Sequence, residues 1–327
     1  MTTLFVLVIV AALVFTFTNG IHDAANAIAT VVSTGVLKPR TAILMAAVLN
    51  LIGSTMGSAV ARTVSTDLVD PRAVGLLVVL SAFIAAITWN LVTWRMAIPS
   101  SSSHAVVGGL IGGAWAAGGF DAVLWSGVLR KVVVPLFLSP AAGFFAALTG
   151  MIVVYWIVRR SRPSVVNNRF RRLQLASCAY MAWSHGLADA QKTTGVVTIA
   201  LFSVPGQSTT VPLWLVLACA VAMGVGTLFG GWSIIETMGS RILKLRPIHG
   251  FVAETSAATV NGLSALLGVP TSTTQAITGA IMGAGATTRL SAVSWGLTRR
   301  IGVVWVLTLP ACGLLSAGIW WVLDAAL

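Results

Sequence analysis

Charged side chains are scarce in this sequence, and acidic ones most of all. Of its 327 residues, 9% are charged and only 8 are Asp or Glu, whereas 57% are hydrophobic and the mean hydropathy is +0.93. A soluble globular domain of this size has no need of so apolar a composition. Apolar runs of about 20 residues, long enough to cross the hydrocarbon of a lipid bilayer, recur along the chain. The composition therefore predicts a polytopic membrane protein.

Two chemical signatures are missing as well. The three cysteines lie within apolar runs, and neither a CxxC pair nor the Cys/His spacing of a zinc site occurs, so we expect Cys178, Cys219 and Cys312 to pack between helices. No GxxxxGK[ST] segment is present, which argues against ATP hydrolysis by this chain. We expect a protein without a cofactor.

The basic residues lie in short loops between the apolar runs. The formal net charge of +12 could suggest a nucleic-acid partner. Loops rich in Lys and Arg are instead typical of the cytoplasmic side of a membrane protein, and the densest group lies between Arg159 and Arg172. We therefore expect no nucleic acid, a multi-pass protein of the cytoplasmic (inner) membrane, and both termini outside.

Two segments share an unusual pattern of a proline, a run of hydroxyl residues and a glycine-rich stretch. They are Ile98–Gly119 and Val269–Gly285, and equivalent residues lie 171 positions apart. Such a pattern predicts a helix start, in which Pro fits the first turn, hydroxyls cap free N–H groups, and the positive end of the helix dipole faces an anion. Two such starts predict a paired anion site. Its candidate residues are Ser101, Ser102, Ser103, His104, Ser272, Thr273, Thr274 and Gln275.

A second polar motif is also duplicated. The segment Phe17–Val32 aligns with Ala182–Val197, which places Asp23 over Asp189, 166 positions apart. Polar residues at membrane depth are costly unless they face protein or water, so we predict that each motif interrupts its span as a broken helix. The candidates for binding a cation are His22, Asp23, Asn26, Asp189 and Lys192, with Asn90, Glu254, Asn261 and His185 in support.

These duplications predict an all-α membrane protein built from two repeats. The first repeat covers residues 1–160, a basic cytoplasmic linker 161–172, and the second repeat 173–327. About five membrane segments in each half is an odd number, so we expect the halves to be inverted. Broken or re-entrant helices would then meet near the midplane, as in many secondary transporters.

Four segments together resemble a known family. GIHDAANAIAT, PSSSSHAVVGG, SHGLADAQKTTG and VPTSTTQAITGA, in this order, resemble the signature segments of the inorganic phosphate transporter (PiT) family, especially its bacterial low-affinity branch. The resemblance covers essentially the whole chain. It implies a homodimeric symporter rather than an enzyme, with inorganic phosphate at the paired Ser/Thr helix starts. It also implies coupling cations at Asp23, Asn26, Asp189 and, with a departure, Lys192.

That departure bears on the coupling ion. Sodium-coupled members of the family tend to show Asn-Asp…Asn in both repeats, whereas the second repeat here has Ala188, Asp189 and Lys192. An ammonium at position 192 would fill the cation position and face Asp189 one helical turn away. We therefore favour protons over sodium, since buried His, Asp and Lys titrate readily. Sodium held by Asp23, Asn26 and backbone carbonyls is the alternative, and transport of a neutral metal–phosphate complex stays open.

The same motifs allow other interpretations, for which the sequence gives weaker support. Ser and Thr runs also serve as helix–helix contacts in membranes, and sulfate is the nearest competing substrate. His22 and His185 could bind a metal, yet no third and fourth ligand follow zinc spacing, so we expect no resident metal. A hydrolase using Ser103 with His104 is disfavoured because helical neighbours point about 100° apart. An anion channel would not need two buried aspartates.

Overall fold

The described chain is helical almost throughout. The computed structural model describes residues 2–70, 74–202 and 212–326, and within these ranges the helices are joined by short connections and one isolated bridge between Val69 and Val123. The predicted all-α class is confirmed.

The helices of the first half occupy residues 2–158. They are α1 (Thr2–Ser33), α2 (Pro39–Ser54), α3 (Ala59–Thr66), α4 (Leu76–Arg95), α5 (Ser102–Gly118), α6 (Trp125–Val128) and α7 (Val134–Val158), with a π-helical turn at Leu129–Val133 joining the last two.

The second half repeats this series. Its helices are α8 (Pro163–Phe202), α9 (Leu213–Phe229), α10 (Trp232–Glu236, followed by a π-helical turn at Thr237–Arg241), α11 (Pro247–Leu266), α12 (Thr273–Ala286) and α13 (Trp295–Ala326).

Several helices are long and apolar enough to cross a membrane. By length and composition, four segments of the described chain qualify: Thr3–Ser33, Leu76–Arg95, Trp125–Val158 and Trp295–Ala326. Two bent pairs also qualify if each counts as one span. The break between α2 and α3 bends the chain by 66°, and the break between α9 and α10 bends it by 67°.

The two halves interlock through exchanged contacts. Helix α1 packs on α9 and α8 packs on α2, while α5 packs on α13 and α12 on α7. Glycine allows the closest of these approaches: a Cβ at Gly186 on α8 would lie 2.2 Å from the carbonyl oxygen of Asn50 on α2. Equivalent helices therefore have equivalent partners, as the duplicated motifs predict.

The predicted breaks at the two polar motifs are absent. Residues 19–26 lie within the continuous helix α1, and residues 184–192 lie within the continuous helix α8. The backbone keeps its helical hydrogen bonds because the polar side chains are buried and find partners on other helices. The breaks occur instead at the bent pairs. The segment 161–172, predicted as a basic linker, is helical from Pro163 onward and forms the start of α8.

Helices α5 and α12 begin inside the protein after matching turns. The turn before α5 has Ala97 at φ 56°, and the turn before α12 has Gly268 at φ 67°, 171 positions later. Each turn is closed by the same backbone bond, from Ile98 to Thr93 at 3.0 Å and from Val269 to Ser264 at 2.9 Å. Only a left-handed residue reverses the chain so tightly. Pro99 and Pro270 lie in the extended residues that follow, not in the first helical turn as expected.

Candidate functional site

The two predicted helix starts are capped by their own hydroxyl groups. Ser101 Oγ accepts a hydrogen bond from the His104 backbone N–H at 3.2 Å, and Ser272 Oγ accepts one from Gln275 N–H at 3.3 Å. Ser101 and Ser272 thus serve as N-caps, which orients the following hydroxyls. Those hydroxyls, on Ser102, Ser103, Thr273 and Thr274, are all buried. The positive ends of both helix dipoles therefore lie in the interior.

Each buried aspartate contacts the helix start of its own repeat. Asp23 on α1 accepts hydrogen bonds from Ser102 and from Thr274, both at 3.3 Å, so it joins the start of α5 to that of α12. Asp189 on α8 accepts one from Thr273 at 3.4 Å. The Ser102 and Thr273 contacts are equivalent in the two repeats. Each aspartate therefore holds the same relation to the helix start of its own repeat, and Asp23 also contacts the helix start of the other repeat.

Asn26 and Lys192 occupy equivalent positions, 166 residues apart, and reach across to the opposite repeat. The Asn26 amide donates to Thr274 Oγ1 at 2.9 Å and to Thr273 Oγ1 at 3.4 Å. Lys192 Nζ donates to Ser103 Oγ at 2.5 Å, and Ser103 is the counterpart of Thr274. The geometry is thus conserved between the repeats while the charge is not.

The Lys192 ammonium uses all three of its protons. Besides Ser103, it donates to Asp189 Oδ1 at 2.5 Å and to the Thr271 carbonyl oxygen at 2.8 Å. The side chain is only 3% exposed. A buried ammonium requires such full pairing, and the one-turn pairing with Asp189 follows the spacing in the sequence.

Two histidines stand beside the aspartates. His22 Nδ1 lies 2.8 Å from Asp23 Oδ1, and its Nε2 lies 3.2 Å from both Thr93 Oγ1 and Ser100 Oγ. His185 Nε2 lies 3.2 Å from Asp189 Oδ2, and its Nδ1 lies 3.1 Å from Asn50 Oδ1. Each carboxylate therefore has an imidazole nitrogen within 3.2 Å of one of its oxygens.

Three of these side chains converge closely enough to hold a cation. One potential ligand atom each from Asp23, His185 and Asp189 lies within 4.8 Å of the others. The Lys192 ammonium already bonds to Asp189, so it competes for that place. With both imidazoles neutral, the two aspartates and Lys192 carry a net charge of −1. The cluster can accept a further positive charge.

The other predicted residues divide into two groups. The side chains of His104 and Gln275, at equivalent positions, have no hydrogen-bond partner among the described residues, and the same holds for Asn90 and Asn261. All four are buried, so they are polar groups available to water or a ligand.

Glu254 belongs to a separate cluster. Its carboxyl group accepts hydrogen bonds from Thr30 at 2.5 Å, from Gln174 at 2.9 Å, and from Ser177. It contacts neither aspartate directly, and Thr30 lies almost two turns beyond Asp23 on α1. Glu254 therefore joins α1, α8 and α11 at a place separate from the two aspartates.

Some contact residues escaped the sequence analysis. Ser100 and Thr271 belong to the duplicated Ser/Thr runs at equivalent positions, so the repeat itself could have identified them. Thr93 and Asn50 carry no such signal, because they reach His22 and His185 from other helices.

Comparisons with known proteins identify relatives of this chain. A family model described as the phosphate transporter family matches residues 19–168 and 159–316. A probable low-affinity inorganic phosphate transporter of Rhizobium meliloti (strain 1021) is 48% identical over 312 residues, which cover 94% of this chain and 93% of the relative. One of Bacillus subtilis (strain 168) is 42% identical over 323 residues, covering 98% and 97%.

A solved structure shares the fold over its whole length. It is that of a sodium-dependent phosphate transporter, with 25% sequence identity and a TM-score of 0.89, and the match covers 99% of this chain and 100% of the other. The family match and the full-length relatives concern transporters rather than enzymes. Because the family model matches most of the chain and the relatives match it over nearly their full length, the chain belongs to the phosphate transporter family.

Proposed function

We propose that this chain is a secondary active symporter that moves inorganic phosphate across the cytoplasmic membrane, as a homodimer and coupled to protons. One observation carries the proposal: two buried helix N-termini, one from each half, are joined by the Asp23 carboxylate, and the second of them also contacts Asp189. Helix N-termini that carry hydroxyl groups are suited to a phosphate anion. The curated relatives are named as phosphate transporters, which supports the same substrate.

The hydroxyl groups link the anion to the coupling ion. In this structure Ser102 and Thr274 donate to Asp23, and Thr273 donates to Asp189. A proton on Asp23 would weaken its role as acceptor, and the released hydroxyls could then donate to phosphate oxygens. Proton uptake would also remove the net charge of −1 that otherwise repels the anion. Binding of proton and phosphate would therefore reinforce each other.

Lys192 is the reason to favour protons. Its ammonium bonds to Asp189 and Ser103 at the position where Asn26 stands in the first repeat, so it acts as a built-in cation. A sodium ion in the second repeat would have to displace it. Sodium held by Asp23, Asn26 and backbone carbonyls is the alternative, and the sodium-dependent structural neighbour supports it.

Transport would follow alternating access around this site. In this proposal the two repeats rock about the site while both helix starts stay on phosphate, as in other transporters built from inverted repeats. A metal–phosphate complex is a second candidate cargo, because Asp23, His185 and Asp189 offer converging ligand atoms.

A hydrolase is disfavoured, since Ser103 Oγ accepts a hydrogen bond from Lys192 and the His104 ring nitrogens have no partner among the described residues.

The test is uptake of ³²P-phosphate into proteoliposomes under a proton gradient or a sodium gradient imposed separately. We expect the proton gradient alone to drive uptake, and Lys192→Asn to abolish uptake or make it sodium-dependent. Lys38→Asn, which changes an exposed lysine between α1 and α2, is the control and should behave as wild type.

Other outcomes separate the alternatives. Sodium-driven uptake by the wild type would contradict the role given to Lys192. Flux that ignores both gradients would indicate a channel. No phosphate uptake at all would direct attention to sulfate, for which uptake of radiolabelled sulfate into the same proteoliposomes is the check.

A further inference from the structure

A second concave region lies at the other end of α12 from the helix starts. It is a cavity of about 750 Å³ between the C-terminal end of α7, the connection from the π-helical turn to α11, and the connection from α12 to α13. This volume falls within the range of roughly 300–1,000 Å³ that is usual for small-molecule sites. Helix α12 has 14 residues, so its length of about 21 Å separates this cavity from Thr273. The cavity is distinct from the site described above.

The cavity is lined by four cationic side chains. Arg241, Lys244, Arg246 and Arg289 all line it, and among the described residues no carboxylate does. Arg241 pairs with Glu236 at 2.9 Å on the surface. Among the described residues, no ion pair engages the other three side chains, all of which are exposed. A concave surface with this charge concentrates anions.

The inner wall of the cavity is polar and ordered by three mutual hydrogen bonds. His249 Nε2 lies 3.3 Å from Tyr155 Oη and 3.4 Å from Thr288 Oγ1, and those two oxygens lie 3.3 Å apart. His249 Nδ1 accepts a hydrogen bond from the Arg246 backbone N–H at 3.3 Å. These contacts join α7, α11 and the residue pair after α12. A scattered set of solvated loop cations would have no such shared polar wall.

We infer that this cavity binds an anion bearing a phosphate group, held by Lys244, Arg246 and Arg289 over the Tyr155–His249–Thr288 wall. Guanidinium groups bind phosphate oxygens in a bidentate manner, and lysine adds a point charge. Two sources share this chemistry: free inorganic phosphate and the headgroup of an anionic phospholipid. The inference does not depend on which ion drives transport.

The test measures protection of a single introduced thiol. Ser291 is exposed and lines the cavity, whereas the three native cysteines are buried, so Ser291→Cys supplies an accessible thiol at this place. The rate of its reaction with uncharged N-ethylmaleimide is measured on the purified full-length protein in detergent. Inorganic phosphate is compared with chloride at equal ionic strength, and dihexanoyl phosphatidylglycerol with dihexanoyl phosphatidylcholine.

We expect the bound anion to slow the reaction by about tenfold at ten times its dissociation constant, because only the empty cavity reacts. Protection by inorganic phosphate assigns the cavity to the free anion. Protection by phosphatidylglycerol alone assigns it to a lipid headgroup. Protection by neither overturns the inference.

Matched variants show where the protection arises. Adding Lys244→Gln with Arg289→Gln should abolish it, whereas adding Arg160→Gln with Arg300→Gln removes the same charge outside the cavity and should leave it intact. Ser103→Ala with Thr274→Ala disables the proposed transport site and should also leave it intact. The inference would be overturned if protection persisted in the variant with Lys244→Gln and Arg289→Gln. It would also be overturned if protection were lost in the variant with Ser103→Ala and Thr274→Ala, whatever the transport assay shows.

Discussion

Lys192 shows how one residue changes the character of a duplicated site. Its counterpart Asn26 makes the same cross-repeat contact with a neutral amide, while Lys192 adds a charge balanced by Asp189 at 2.5 Å. Burial makes that balance compulsory, because an unpaired ion in the interior costs several kcal/mol. The lysine is therefore a structural requirement for Asp189, whatever it contributes to binding.

Removing only Lys192 should therefore destabilise the protein more than removing the charges of both Lys192 and Asp189. We expect Lys192→Met, which leaves Asp189 buried without a counterion, to lower the free energy of unfolding by about 3–5 kcal/mol. Lys192→Met combined with Asp189→Asn should recover most of that loss. Thermal unfolding in detergent measures both. A double variant no more stable than the single one would show that the pair is not energetically coupled.

At the scale of helices, close backbone contact decides how the halves meet. Gly186 on α8 faces the backbone of α2, and a Cβ there would lie 2.2 Å from the Asn50 carbonyl oxygen and 2.7 Å from its Cα. Asn50 also contacts His185, which contacts Asp189. The spacing of α2 and α8 therefore sets the position of one aspartate.

A single added methyl group tests this contact. Gly186→Ala should push α8 from α2 and destabilise the protein by about 1–3 kcal/mol, since backbone atoms cannot yield as a side chain can. Gly318→Ala on α13 is the control, because nothing lies within 4 Å of its added Cβ, and it should be neutral or slightly stabilising. Equal thermal stability of the two variants would contradict the close approach.

Much of the local structure of the helices was predictable from the sequence, but the contacts between helices were not. The Ser101 and Ser272 caps depend on residues three positions away, so the motif alone identifies them. The continuity of α1 and α8 was not predictable. Polar residues such as His22 and Asp23 suggest a break until their partners, on α4, α5 and α12, are known.

At the scale of the whole molecule, each half contributes side chains that contact the helix start of the other half, so the candidate site includes residues of both. Asn26 of the first repeat contacts Thr274 of the second, and Lys192 of the second contacts Ser103 of the first. Neither half contains a complete set of contacts. The positive charge could therefore reside in either repeat without changing the total charge of the site.

Moving the lysine to the other repeat tests that equivalence. Asn26→Lys alone adds a buried charge, and we expect phosphate uptake to fall by about tenfold or more, a loss of at least 1.4 kcal/mol in transition-state stabilisation. Asn26→Lys with Lys192→Asn restores the net charge and should regain a measurable part of the uptake. A double variant as inactive as the single would show that the repeats are not interchangeable.

The sequence by itself determined the membrane class, the duplication, the capped helix starts and the pairing of Lys192 with Asp189. Each of these depends on composition or on residues within about one helical turn, where spacing alone sets geometry. Only the tertiary structure decided that Asp23 joins both helix starts, that Glu254 belongs to a separate cluster, and that cationic side chains gather around a cavity at the far end of α12. Those features depend on which helices pack together, and residues more than a hundred positions apart meet only once the two halves have interlocked.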